Sequence, residues 1–243
     1  MIGGFFIKAY IEIGNINTYY DLNLLMYKSE IPSINEEVEY HPVDGRKGTL
    51  TEKTGTFKDR VLKFGFDLKR IKNESLEEFS ERLFYVEDTL NNCTGKDLVY
   101  FSNQNYKYIV KNIKINTIED TLCHDIQLEI TCEPFRYLNF EEEIILTKHE
   151  TIYYSGSMPG ECKIKIYGSG NVQLTINSET IQVKNIDEYV ELDSKLLLCL
   201  NKDKTSKTID MIGDFPILTK GTNNISWIGN VSKVEILPRT AFK

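Results

Sequence analysis

The chain has 243 residues, of which 41% are apolar and 11% aromatic, enough to bury one large core or two cores of about 100 residues each. Its 29 Lys and Arg stand against 36 Asp and Glu, and the net charge of −7 argues against a nucleic-acid backbone as the main ligand. The longest apolar stretches, such as residues 196–200, fall far short of the roughly 20 residues that span a bilayer. The start at Met1 lacks the features of a secretory signal, so we expect synthesis in a cytoplasm without membrane association.

The cysteines indicate neither disulfides nor a metal site. The five are widely spaced and include no C-x-x-C pair, at Cys93, Cys123, Cys132, Cys162 and Cys199. We therefore interpret them as reduced structural thiols. His41 and His149 lack the companion residues of a metal motif, so no metal and no cofactor is predicted.

The first distinctive segment in chain order runs from Glu36 to Phe57. Charged and apolar residues alternate there on both sides of Asp44-Gly45, a pair that tolerates the backbone of a tight turn. This pattern predicts a hairpin.

One helix is predicted over about residues 75–92. Ser75 and Glu78 have the spacing of a capping box. Apolar residues then recur at helical spacing, at Leu76, Phe79, Leu83, Val86 and Leu90. We expect this stripe to pack on the adjoining sheet.

The remaining pattern has a period of two and predicts short antiparallel strands. Examples are Ile126, Leu128, Ile130 and Cys132, then Ile164 and Ile166, then Val172, Leu174 and Ile176, and finally Val234 and Ile236. Turns are predicted between them at residues 168–171 and 177–178. This rhythm is typical of a sandwich or jelly roll.

A domain boundary is expected between Pro134 and Glu150, where one strand set ends and an acidic run precedes the next. We assign residues 1–140 to an N-terminal sandwich- or barrel-like β domain with the one helix. Residues 141–243 form a C-terminal β-sandwich, whose last residues are free to return to the first domain.

No plausible catalytic constellation is found, and the chain is predicted not to be an enzyme. Cys123, His124 and Asp125 have the side chains of a catalytic triad, but neighbouring side chains of a strand point to opposite faces. A hydrolase is the weakest of three hypotheses.

The single tryptophan, Trp227, allows two interpretations. An exposed ring could stack on a sugar, which makes it a candidate carbohydrate platform. Trp227 shares its strand face with Ile225, however, and we favour a core position.

Several motifs together resemble the distal tail proteins of long-tailed phages that infect Gram-positive bacteria. They are His41-Pro-Val-Asp-Gly-Arg-Lys-Gly-Thr-Leu50, Gly55-Thr-Phe-Lys-Asp-Arg60, Gly95-Lys-Asp-Leu-Val-Tyr-Phe101, Ile130-Thr-Cys-Glu-Pro-Phe-Arg-Tyr137, Gly213-Asp-Phe-Pro-Ile-Leu218 and Gly221-Thr-Asn-Asn-Ile225. Their order and spacing cover nearly the whole chain. Two departures are the Pro-Val-Asp-Gly order before Arg46 and a first segment rich in Asn and Tyr, so a phage-derived bacteriocin is also compatible.

The resemblance implies a structural baseplate hub protein at the virion tail tip, or in a phage-tail-like particle, made in the host bacterial cytoplasm. N-terminal domains would form a hexameric ring that joins the tail tube protein to the tail-associated hub or lysin protein. The C-terminal domain, galectin-like by the same resemblance, would support receptor-binding proteins. The alternative function is a carbohydrate-binding module that contacts host cell-wall glycans.

Within this resemblance the hairpin is a candidate subunit-interface arm. We expect Asp44, Gly45, Arg46, Lys47 and Lys53 to lie at a subunit boundary or in the ring lumen. The competing interpretation is a solvated hairpin tip.

Overall fold

The computed structural model describes residues 8–243, so the start of the chain, on which the absence of a secretory signal was argued, lies outside the described residues. The chain divides into two compact units, one ending at Asn139 and including Lys243, the other spanning Phe140–Phe242. Both are built of antiparallel strands, and the predicted mainly β fold with one α-helix is confirmed.

The first unit contains ten strands and the helix among its described residues. Its elements are β1 Ile11–Ile13, β2 Ile16–Asn17, β3 Leu25–Glu30, β4 Glu36–Pro42, β5 Thr49–Phe57, β6 Arg60–Lys69, α1 Leu76–Asn91, β7 Asp97–Tyr100, β8 Tyr106–Ile118, β9 Cys123–Cys132 and β10 Arg136–Leu138. The main sheet has the order β2-β1-β7-β8-β9-β6-β3, with β10 beside β8. Strands β4 and β5 form a separate two-stranded sheet.

Helix α1 begins as its sequence dictates. The backbone N–H of Glu78 donates to Ser75 Oγ (3.1 Å), and Glu78 Oε2 accepts from the Ser75 N–H (2.7 Å). Four of the predicted stripe residues lie in the core: Phe79, Leu83, Val86 and Leu90. The fifth does not, since Leu76 is 54% exposed. It stands in the first turn, before the helix covers the sheet.

The core of the first unit lies between α1 and one face of the sheet. Alternate residues of β6 and β9 are buried there: Leu62, Phe64, Phe66 and Leu68, with Ile126, Leu128, Ile130 and Cys132. The register pairs Leu62 with Ile130 and Phe66 with Ile126, so the apolar residues of both strands share one face.

The second unit has nine strands and one 3-10 turn. Its elements are β11 Ile144–Leu146, β12 Glu150–Tyr154, β13 Lys163–Ile176, β14 Glu179–Ile186, β15 Tyr189–Asp193, β16 Leu198–Asn201, the turn Thr208–Asp210, β17 Met211–Ile212, β18 Gly221–Leu237 and β19 Ala241–Phe242. The strand order is β11-β18-β13-β14-β17, with β12 beside β18, β15 beside β13 and β16 beside β15.

The prediction of a turn at residues 168–171 is wrong. These residues lie inside β13, a single strand of 14 residues, where its pairing with β18 shifts register. A Cβ on Gly168 would lie 2.1 Å from the backbone oxygen of Asn230, so only glycine permits this close approach. The glycines at this point permit a β-bulge in a continuous strand, and the chain does not reverse direction there. The turn predicted at Asn177-Ser178 does join β13 to β14, with Asn177 at φ 56°.

Candidate functional site: the hairpin arm

The hairpin of β4 and β5, called the arm from here on, is closed by a tight turn. Its strands pair from Glu36 opposite Phe57 to Pro42 opposite Thr49. The Arg46 N–H donates to the Val43 carbonyl (3.1 Å) across Asp44-Gly45, and Gly45 has φ 78°. A positive φ at this turn position favours glycine. The sequence therefore specifies the reversal by local backbone chemistry.

The arm buries almost none of its own surface. Every residue of β5 except Phe57 is exposed, and so are the apolar side chains Val38, Tyr40, Val43 and Leu50. Tyr40 is 64% exposed and Leu50 46%. A two-stranded hairpin is marginally stable by itself in water. The register places Val38 and Tyr40 on one face of the arm and Leu50, opposite His41, on the other, so the arm exposes apolar side chains on both faces.

The tip of the arm carries two exposed cations and one exposed carboxylate, that of Asp44. Within residues 8–243, neither Arg46 nor Lys47 forms an ion pair, and both are exposed. Lys53 differs, because its Nζ lies 3.2 Å from Glu36 Oε2 near the base of the arm. The structure thus places Asp44, Gly45, Arg46 and Lys47 together in the turn, and Lys53 apart from them on β5.

His41 lies in a side-chain cluster that the sequence analysis did not predict. Glu39 and Glu52 face each other directly across the two strands, an arrangement that repels. The His41 Nε2 lies 3.6 Å from Glu39 and 3.0 Å from Glu52. Only the strand register brings Glu52 beside His41, so spacing along the chain could not reveal the cluster. No group of three or more His, Cys, Asp or Glu side chains in residues 8–243 has a metal-binding arrangement.

The residues of the apparent triad are separated. His124 is buried, its ring stacks on Phe79 with centroids 3.9 Å apart, and its Nδ1 accepts from the Asp120 N–H. Burial lowers the pKa of His124. Asp125 instead accepts a hydrogen bond from the Tyr27 hydroxyl (2.5 Å) on the other face of the sheet. The alternation argument for this trio is confirmed.

Trp227 lies in the core of the second unit, 8% exposed. It pairs with Leu174 in the sheet register, and the His149 ring meets it edge-on with centroids 4.9 Å apart. The core interpretation of its position is confirmed. A sugar-stacking platform needs an open ring face, which the burial of Trp227 disfavours.

A second surface that the sequence analysis missed lies on α1. Phe84 and Tyr85 stand off the buried stripe and are 60% and 63% exposed. Exposed carboxylates of Glu77, Glu81 and Asp88 flank them. Adjacent aromatic residues outside the buried helical period were the available signal.

Comparison with known proteins shows that this chain shares its fold with a solved structure. No protein-family model and no curated protein matches the chain. A solved structure, SPP1 Dit (gp 19.1), matches with a TM-score of 0.74 over 94% of this chain and 98% of that chain, at 11% identity. The chain has the fold of SPP1 Dit. SPP1 Dit is described as a paradigm of the hub adsorption apparatus in phages that infect Gram-positive bacteria.

The likeness to SPP1 Dit involves both units, since neither is small enough to fall outside the 94% of the chain that is matched. The resemblance inferred from the motifs is therefore confirmed in fold.

No helix among residues 8–243 is long and apolar enough to cross a membrane.

Proposed function

We propose that this protein is a structural component of a phage tail tip or a phage-tail-like particle, and that it acts by assembly instead of catalysis. The observation that carries the proposal is the match in fold to SPP1 Dit over nearly the full length of both chains. The exposed arm supports it, because a hairpin with uncovered apolar side chains suits a subunit contact.

In this proposal six copies form a ring through their N-terminal units. The ring joins the tail tube protein to the tail-associated hub or lysin protein, and the C-terminal unit is a galectin-like scaffold for receptor-binding proteins. Head-to-tail contacts that close by rotation produce such rings. The arm residues Asp44, Gly45, Arg46, Lys47 and Lys53 would lie at the boundary between neighbouring subunits.

Deleting residues 43–47 tests the arm. We expect the variant to stay folded, since these residues are exposed and lie outside the core, and to lose the oligomer. Native mass spectrometry reports the assembly mass, and circular dichroism with thermal unfolding reports the fold. A control that replaces the same five positions with Gly and Ser separates loss of side chains from shortening of the hairpin. An unchanged oligomer mass in the deletion variant would contradict the role of the arm at the subunit boundary.

We also propose that the two units are separable domains, because each has its own buried cluster. The segment between Leu138 and Ile144 contains Phe140, which is 81% exposed. Limited digestion with chymotrypsin is expected to cut there and leave two resistant fragments. Mass spectrometry of the fragments locates the cut. Cleavage confined to the chain ends would contradict separability.

A further inference from the structure

The outward face of α1 has an unusual make-up for a solvated helix. Glu77, Glu81, Tyr85 and Asp88 follow one another at intervals of four, four and three residues, which places them on one stripe. Phe84 adjoins this stripe. The two aromatic rings are more than half exposed and lie among carboxylates. Large exposed aromatic side chains of this kind are enriched where proteins bind other proteins.

The charge of this face is not balanced within the helix. α1 contains five acidic residues and one basic residue, Arg82. Arg82 is already engaged, because its guanidinium donates to Glu74 Oε1 (2.8 Å) and to the Lys69 carbonyl. Glu77 and Glu81 are like charges one helical turn apart, which disfavours the isolated helix. The stripe therefore lacks a cationic partner on α1 itself.

The arm tip has the opposite character. Arg46 and Lys47 are exposed and form no ion pair within residues 8–243, and the apolar Val43 and Leu50 beside them are 45% and 46% exposed. One surface thus combines two cations, against the single carboxylate of Asp44, with apolar side chains, and the other combines carboxylates with two aromatic rings. Among the described residues, no ion pair joins the two surfaces within one chain.

We infer that the arm tip of one copy docks on the outward face of α1 in the next copy. Arg46 and Lys47 would lie against Glu77, Glu81 and Asp88, and Val43 and Leu50 would cover Phe84 and Tyr85. The inference rests on the proposed ring, to which it adds the receiving surface. A contact between two different patches of identical chains repeats from copy to copy and can close by rotation.

A charge exchange tests the inference on the full chain. Arg46→Glu with Lys47→Glu reverses the arm tip, and Glu81→Lys with Asp88→Lys reverses the helix face. Each reversal alone is expected to weaken association by roughly tenfold or more, because like charges then meet at the contact. The chain that carries all four substitutions should associate as the wild type does. Sedimentation equilibrium and native mass spectrometry measure the association.

The control is Lys184→Glu with Lys220→Glu, the same charge change on two exposed lysines of the second unit. It is expected to leave association unchanged. Circular dichroism checks each variant for folding. Should the helix reversal unfold the chain, Glu81→Gln with Asp88→Asn removes the charges without reversal and is still expected to weaken association.

Three results separate this inference from the proposed function. If deleting residues 43–47 abolishes the oligomer but the helix variants associate normally and the fourfold exchange gives no rescue, the arm docks elsewhere and the inference is overturned. If the deletion variant keeps its oligomer, the arm tip is not the subunit contact and the inference is overturned while the ring stands. If the wild-type chain remains monomeric, the proposed ring itself fails.

Discussion

Replacing Trp227 by Ala is expected to lower the free energy of unfolding by about 3–5 kcal/mol, as other truncations of large buried aromatic residues do. Trp227 is 8% exposed and lies in the same buried cluster as Leu174 and Ile225. Truncation removes apolar contacts and leaves a cavity that antiparallel strands cannot readily close. Thermal and denaturant unfolding of the full chain measure the loss.

The neighbouring residue supplies the control. Ile228 follows Trp227 on β18 but is 70% exposed, so Ile228→Ala is expected to change stability by no more than about 0.5 kcal/mol. Binding of both variants to Gram-positive cell-wall polysaccharide completes the comparison. A Trp227→Ala chain with wild-type stability and lost glycan binding would favour a carbohydrate-binding module over a scaffold.

Arg239→Ala is expected to cost roughly 3–5 kcal/mol, because it leaves a buried carboxylate without its partner. The guanidinium of Arg239 donates to both oxygens of Asp193, at 2.6 and 2.7 Å, and the Asp193 side chain is 6% exposed. Burial by itself raises the pKa of Asp193, but the hydrogen bonds from Arg239 and from the Leu196 N–H outweigh it, and the pKa is lowered overall. Denaturant unfolding measures the cost.

Two further variants identify the mechanism. Lys202→Ala removes an exposed pair in which Nζ lies 2.9 Å from Asp187, and it is expected to lower stability far less than Arg239→Ala, because solvent screens an exposed ion pair. Asp193→Asn in the Arg239→Ala background should recover part of the loss, because a neutral amide is less costly to bury unpaired than a carboxylate. Equal stability of the Arg239→Ala and Lys202→Ala chains would show that the buried pair contributes little.

Local chemistry explains which elements were predictable from sequence. The capping box of Ser75 and Glu78 and the period of α1 act within a few residues of each other, so the helix bounds could be predicted closely. Strand β9 was equally predictable from the sequence, because only its alternate residues are buried and they alternate with more polar ones. The arm turn followed from the backbone preference of Gly45.

Features that depend on distant residues were not predictable. The bulge at Gly168 is set by the approach of Asn230, which is 62 positions along the chain and adjacent only after β13 and β18 pair. The contact of His41 with Glu52 likewise depends on register. The outward face of α1 was missed because a helical pattern identifies the buried stripe, whereas Phe84 and Tyr85 lie outside it.

The arm has a consequence for the order in which the chain acquires its structure. Its two strands pair with each other in a sheet separate from the main sheet, and few of their side chains are buried. Such an element opens with a free energy far below that of global unfolding, while the cores beneath it stay intact. Any partner that fixes the arm must therefore offset the conformational entropy lost on ordering. For any partner that covers the arm, a second copy of this chain included, completion of the fold becomes part of the binding step.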